Sequence, residues 1–345
     1  MKELRNSIFR KGYVPAKCME LLGASIGEDS IEFINVGAMN YVYKATTLKG
    51  IIYFKQALKE AKNSAKIGSD LASIPHLRIQ YEKNVIDAIK DVMPEEIQLP
   101  QILFYDAENN ILIMSDVSGG GPLLQDALLE GDFNERTATN IGRFLGISHR
   151  QTYNQNNVIR GDTKEDKSNW EVFLNMRTKG IGQGKIERGV SEELSRLYHD
   201  VLKNHTYDVL INMDCCPKNI FQRPDSSVGL IDFELASGVG DPAYDIGFAL
   251  GHYFLFSVLK DVPETSLKCP SKMVDAYLGE LGDLEFKGLM GRIIKYAGAV
   301  MLYRVTGSSP ASFIPKEKYE ELISKGSRII MSGLNKIEEV SGLLK

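Results

Sequence analysis

NMDCCPKNIF (Asn212 to Phe221) and, eight residues on, GLIDFE (Gly229 to Glu234) carry the reading of this chain. An Asp stands at 214, an Asn five residues later at 219, and a second Asp 18 residues after the first, at 232. The second Asp ends an apolar, strand-like run. Moving a phosphoryl group takes a carboxylate that can accept the proton of a hydroxyl. It also takes Asn and Asp oxygens that hold Mg²⁺ on nucleotide phosphates. Asp214 is the candidate for the first task. Asn219, Asp232 and Glu234 are the candidates for the second, because carboxylate and amide oxygens suit a hard cation that takes other ligands from phosphate. Singly, Asp214 reads as well as a turn or capping residue, and Asp232 as a hairpin-turn Asp. Their joint order and spacing argue for a site.

The chemistry needs a second set of residues upstream. VGAMNYVYKA (Val36 to Ala45) joins two strand-like runs, and a glycine turn there lets backbone N–H groups approach phosphates. Gly37 and Asn40 are the nucleotide candidates in it. Lys55, in IIYFKQA, lies on the next strand among apolar side chains, where a phosphate-contacting Lys is expected. Glu82, 27 residues later on a helical stretch, is its natural partner.

The period of apolar residues changes along the chain. Residues 5 to 23 read as an amphipathic helix. IEFINV, YVYKAT, IIYFKQA, QILFYDA and ILIMSDV are short and rich in β-branched and aromatic residues, with turns at LKG (Leu48 to Gly50) and AENN (Ala107 to Asn110). A helix interrupts them at about Pro75 to Asp91. After SGGGP (Ser118 to Pro122) the spacing is helical. Helices are expected over Glu135 to Tyr153, Ser191 to Lys203, Pro242 to Leu259, Ser271 to Leu281, Phe286 to Val305 and Lys316 to Val340. Short strand pairs are expected around Asp208 to Met213 and Asn219 to Phe233, and a long polar loop over Asn154 to Ser168. In GDPAYDIG, Asp241 reads as a helix cap before Pro242, and Asp245 falls in the first turn. Both are read as stiffening the loop of Asp232.

The expected fold is therefore α+β and bilobal. Residues 1–117 form a small β-rich nucleotide lobe, and residues 118–345 a larger, mainly helical catalytic lobe. The hinge is at 115–121, and Ser115, Asp116 and Val117 in it are further nucleotide candidates. With 345 residues, 43% hydrophobic and 25% charged, the chain reads as an ordinary globular protein large enough for two lobes. A net charge of −4 provides no basic field for nucleic acid. The four cysteines form no CxxC pair, which points to free thiols in a reducing cytoplasm. The most apolar stretch, Ile246 to Leu259, contains His252 and is too short to span a membrane. Oligomeric state is not legible.

These motifs resemble the aminoglycoside phosphotransferase and choline kinase superfamily of protein-kinase-like small-molecule kinases, and within it the methylthioribose kinases most. The resemblance covers nearly the whole chain. VGAMNYVYKA looks like that family's glycine loop, FKQAL like its Lys strand, RIQYE (Arg78 to Glu82) like the start of its Glu helix, and IDFE like its Asp-x-Glu motif. AVMLYRVTG (Ala299 to Gly307) looks like the segment that carries paired arginines for the sugar, so Tyr303 and Arg304 are implied substrate residues. The chain departs from the pattern at Asn212, Met213 and Cys216, where the family usually has His, Gly and His, and at Tyr303, where one arginine is missing.

The resemblance implies an ATP- and Mg²⁺-dependent kinase of a small hydroxylated metabolite, a sugar or polyol. With one Arg in place of two, a neutral or singly anionic acceptor is expected. A choline-type or aminoglycoside phosphotransferase is the alternative, although the loop NQNNVIRGDTKEDKS (Asn154 to Ser168) is mixed in sign where a polycation would want acid. A catalytically weak, nucleotide-binding pseudokinase is a third reading, supported by the altered catalytic loop.

Overall fold

The computed structural model describes residues 2–34, 39–58, 77–156, 159–182, 184–262, 268–307 and 310–344. The first strands are β1 (Ile31–Ile34), β2 (Tyr41–Thr47), β3 (Gly50–Gln56), β4 (Ile97–Gln98), β5 (Ile102–Asp106) and β6 (Ile111–Ser115). All but β4 form one antiparallel sheet in the order β1-β2-β3-β6-β5. The expected turns set its register. Thr47 pairs with Gly50 across a two-residue turn, and Asp106 pairs with Ile111 across AENN. Helix α1 (Ser7–Leu22), capped by Asn6, packs Val14 and Cys18 on Tyr43, Ile52, Phe54, Ile111 and Ile113. Helix α2 (Arg78–Ile89) packs Ile79, Val85 and Ile86 with Leu112 and Met114 on the opposite face. β6 is buried on both faces, which is why ILIMS reads as a continuous apolar run.

After Ser115 the chain is mostly helical, with α3 (Leu124–Leu129), α4 (Glu135–Thr152), α5 (Thr163–Met176) and α6 (Arg188–Asn204). Beyond the short strands come α7 (Pro242–Lys260), α8 (Lys268–Leu281), α9 (Leu289–Thr306), α10 (Tyr319–Met331) and α11 (Ile337–Leu344). Helix α7 is buried from Pro242 to Val258 and forms the centre of this half. β7 (Tyr207–Ile211) pairs with β10 (Ser237–Gly240), and β8 (Ile220–Gln222) with β9 (Val228–Leu230). β4 lies parallel to β9, so a strand from the first half completes a sheet of the second. Among the described residues no helix is long and apolar enough to cross a membrane.

Two expectations are corrected, and two elements were not expected. The Asn154 to Ser168 segment is not all loop: α5 begins at Thr163, capped by Asp162, whose side chain accepts from Glu165 N–H at 2.7 Å. Its first turns are polar, and its apolar anchors Trp170, Phe173 and Leu174 come only later. Lys316 to Val340 is two helices, divided at Gly333, whose φ is +66°. Strand β10 has a single apolar side chain, Val239, and was not expected; helix α3 has Leu124, Ala127 and Leu128 at helical spacing but is only six residues long, and was not expected either.

The hinge segment is clamped to β8 and β9. Gln222 N–H donates to Pro122 O at 3.0 Å, and Leu123 bridges Phe221. Two glycines permit this approach. A Cβ on Gly229 would stand 2.2 Å from Val117 O, and one on Gly121 would stand 2.1 Å from Gln222 O. Gly229→Ala is therefore expected to destabilise the protein by about 3 kcal/mol, the upper range for overpacking against a backbone that cannot rotate away. Denaturant unfolding of the variant measures it, and a loss below about 0.5 kcal/mol would show that the hinge yields freely.

Candidate active site

Lys55 on β3 and Glu82 on α2 meet in a buried ion pair at 2.7 Å. Lys55 Nζ also contacts Asp232 and lies 3.5 Å from Glu234. One oxygen from each of Glu82, Asp232 and Glu234 lies within 4.8 Å of the others. Burial pulls the Lys55 ammonium down, but the three carboxylates hold it well above its ordinary value. Burial pushes Glu82 up to about 7, against the pull of Lys55. Asp232 follows β9 with φ +69°, a left-handed conformation rare outside glycine and found where a fold holds a residue for a task. Arg78, at the start of α2, lies 3.7 Å from Glu234. Three carboxylates thus face two cations, a donor set and residual negative charge that fit a divalent ion.

Asn40 sits here in an unexpected way. Its amide nitrogen donates to Glu234, and its oxygen accepts from Arg78 Nε at 2.9 Å. The side chain therefore ties its loop to the acidic cluster instead of pointing into a phosphate cradle. Gly37 lies outside the described residues. At the hinge, Ser115 Oγ accepts from Gln101 N–H at 2.9 Å, and Asp116 N–H donates to Ile51 O at 3.3 Å. Val117 is buried, and its carbonyl accepts from Arg223 at 3.2 Å. Ser115 N–H, which donates to Gln101 O at 3.0 Å, Asp116 N–H and Val117 O are thus already engaged within the fold.

The second half of the site is the loop after β7. Asp245, in the first turn of α7, accepts from Asn212 N–H at 2.6 Å and Met213 N–H at 2.9 Å, and faces His149 Nε2 at 3.2 Å. It stiffens the loop of Asp214, not that of Asp232 as expected, because α7 packs beside β7 and points its first turn at that strand's end. Asp241 is the expected cap, accepting from Ala243 N–H at 3.1 Å, and it also pairs with Arg292 at 2.7 Å. Met213 takes φ +72°, the position where the related pattern has Gly. Asn212 Oδ1 accepts from Asp214 N–H at 3.1 Å, a local turn bond. Cys215 and Cys216 are buried, and burial pushes Cys216 up to about 12, so it stays a neutral thiol.

Asp214 is buried and heavily bonded. Asn219 Nδ2 donates to its Oδ2 at 3.0 Å, as it does to its backbone carbonyl. Arg177 Nη2 lies 3.1 Å from Oδ1, and Lys218 Nζ lies 3.2 Å from Oδ2. Burial alone would raise this carboxyl, but Lys218, Arg177 and Arg304 hold it far below the ordinary carboxylate range. Asp214 in turn holds the Lys218 ammonium above its ordinary value, with Asp232 adding to the effect. Lys218 thereby links the two halves of the site.

Arg177 was not expected from the sequence. It is buried, donates to Tyr244 Oη at 2.5 Å and to Met213 O, and lies 4.2 Å from the Phe248 ring centre. The available signal was an Arg spaced three and four residues after Leu174 and Phe173, just past a helix of which only the start, to Ser168, was read as loop. Tyr303 is only 4% exposed and packs with Ile181, Leu194 and Leu302, its ring centre 5.7 Å from Arg177. It backs Arg177 and does not line an open cleft. Arg304 is half-buried, and its Nε–H donates to His252 at 2.9 Å. The carboxylate partner that a buried arginine would call for is not found among the described residues.

Residues 30–261 match the family described as the phosphotransferase enzyme family, a span that runs from the first sheet to the end of α7. It includes every residue of the site above except Arg292, Tyr303 and Arg304. A curated relative, the 4-hydroxytryptamine kinase of Psilocybe cyanescens, is 25% identical over 185 residues, 48% of this chain and 49% of its own. The chain thus spans about half the length of that relative. A solved choline kinase from Streptococcus pneumoniae superposes with a TM-score of 0.53 at 15% identity, covering 92% of this chain and 98% of its own. An ethanolamine kinase from Plasmodium vivax does so with a TM-score of 0.53 at 15% identity, covering 97% and 92%. At that identity the superpositions show a shared fold: a small antiparallel sheet lobe on a helical lobe. The family match over two-thirds of the length goes further, and the chain belongs to the phosphotransferase enzyme family.

Proposed function

We propose that this enzyme transfers the γ-phosphoryl group of ATP, with Mg²⁺, to a hydroxyl of a small metabolite, a sugar or polyol. The carrying observation is Asp214, a buried carboxylate held ionised by Arg177 and Lys218 and bonded to Asn219. In this reading residues 1–117 hold the nucleotide and residues 118–345 carry out the chemistry. Lys55, set by Glu82, meets the α- and β-phosphates. Asp232, Glu234 and Asn219 hold the metal, which supplies charge neutralisation on the phosphates. The backbone at Ser115 to Val117 lies against the adenine, and Asn40 acts through Glu234 and not on the phosphates.

Asp214 aligns the acceptor hydroxyl. The O–P bond forms as the bond from γ-phosphorus to the bridging oxygen breaks, ADP keeps that electron pair, and the hydroxyl proton leaves through Asp214. A carboxylate held so far down is a poor proton store, so its main contribution is orientation, as expected where proton loss is late. The four cysteines are free and buried, which supports a cytoplasmic setting. An amine-bearing acceptor is a second reading, favoured by the names of the three relatives above.

Release of ADP from Mg·ATP, screened over sugars, polyols, amino alcohols and aminoglycosides, tests the activity. Lys55→Met is expected to lower kcat/KM for ATP roughly 10²-fold, the scale of losing one charge-stabilising donor. Unchanged ATP kinetics in that variant would remove Lys55 from the phosphate site. An absence of turnover with every acceptor class, despite Mg·ATP binding, would favour a nucleotide-binding module instead.

A further inference from the structure

Arg304 lies near the end of α9 and is held by a neutral group. His252 Nδ1 is 2.8 Å from the Phe248 carbonyl, which can only accept, so Nδ1 carries the ring proton and Nε2 offers its lone pair to Arg304. Burial first, then Arg304 itself, push this histidine well below its ordinary value, so it stays uncharged. Among the described residues no carboxylate reaches ion-pair range of Arg304, and its two terminal nitrogens have no hydrogen-bond partner. Three other buried guanidiniums are different. Arg160 donates to the carbonyls of Glu234 and Ala236, Arg177 pairs with Asp214, and Arg292 pairs with Asp241. Arg304 borders the same Phe248 ring as Arg177, at 6.0 Å against 4.2 Å. The ring positions bring an oriented guanidinium, unpaired at its open end, close to Asp214.

The charge count points one way. Asp214 is a single negative group, contacted by Arg177 and Lys218 and depressed further by Arg304. An acceptor carrying an ammonium would bring a fourth cation to this place. A neutral polyol would leave the half-buried Arg304 uncompensated, which is costly. A planar fork whose Nε side is already fixed matches a carboxylate through its terminal nitrogens. We infer that the acceptor is a hydroxylated carboxylic acid, its carboxylate on Arg304 and its reacting hydroxyl at Asp214. This rests on the kinase reading above and narrows its acceptor to one end-group chemistry.

The test is a matched panel in which only the end group changes: glycerol, glycerate, glycerol phosphate and aminopropanediol, then sorbitol, gluconate, gluconate phosphate and glucamine. Each is assayed for Mg·ATP-dependent phosphorylation and, separately, for a rise in melting temperature with Mg·ADP present. The acid members are expected to exceed their neutral partners in kcat/KM by roughly 10- to 100-fold, the scale of a charge-assisted bidentate contact. Arg304→Met should bring that ratio close to one while KM for ATP holds. Arg304→Lys, which keeps the charge but not the fork, should fall between and serves if the Met variant does not fold. Preference for neutral, amine or phosphorylated members would overturn the inference, as would an acid preference that survives in both variants. If acids raise the melting temperature but nothing is phosphorylated, the kinase reading fails and the anion site stands. If acids neither bind nor react, the anion site falls.

Discussion

Asp214→Ala is expected to lower turnover by about 10²–10⁴-fold, the range for a positioned proton acceptor, while Mg·ATP still binds. Lys55, Glu82 and Asp232 make their contacts with one another without this side chain. Asp214→Asn is the sharper variant. It keeps the shape but removes the charge that Arg177 and Lys218 face. The wild-type pH profile carries a further expectation. A carboxyl held far below its usual value is ionised throughout the working range, so Asp214 should produce no acid limb in kcat/KM above about pH 5. Near-normal turnover of either variant on the true acceptor would remove Asp214 from the chemistry. ATP kinetics that collapse in step with it would instead show that the two halves of the site do not act separately.

Arg177→Met should cost about 3–5 kcal/mol of folding stability, because it deletes one partner of a buried ion pair and leaves the other charge in place. Met keeps much of the contact with Phe248 and Phe173, so the loss reports the charge and its hydrogen bonds. The pH dependence follows from the sign of the shift. Asp214 is depressed in the folded state, so its share of stability is present above the unfolded carboxyl value near 4 and fades as pH falls below it. Without Arg177 that share shrinks, and the variant should lose less stability than the wild type between neutral pH and pH 3. Because the Asp214 carboxyl moves back toward its ordinary range, an acid limb should also emerge in the rate profile. Denaturant unfolding at several pH values measures both effects. A stability loss under about 1 kcal/mol would mean that Lys218 alone holds the carboxylate.

The contact of Lys55 with Glu82 was legible in the sequence, because each of the two residues is tied to a local pattern. Lys55 lies on β3, and Glu82 stands on the helix that packs on the adjacent strand β6, so order along the chain gives neighbourhood in space. The acceptor half was less legible. Arg177 ends a helix whose first turns are polar, and its partner Asp214 lies 37 residues on, across β7. Nothing periodic connects them. Asp245 was read correctly as a first-turn residue, yet its partners Asn212 and Met213 depend on how α7 docks beside β7. Asn40 and Arg78 were visible as residues, but their mutual bond and their hold on Glu234 arise only when the first sheet meets the acidic cluster. Tyr303 was placed at the substrate by analogy of position, and packing against Ile181 and Leu194 takes it behind Arg177 instead.

Strand β4 has a mechanical consequence. Between α2 and β5 the chain leaves the first sheet, lies alongside β9, and returns before it crosses again after β6. Both crossings of the chain converge on β9: Gln98 pairs with Gly229, and Val117 O closes on the same Gly229. The two connections therefore share one short pivot. A lever magnifies at its tip any movement at its fulcrum, so widening this single backbone position should be felt most at the distant pair Lys55 and Asp214.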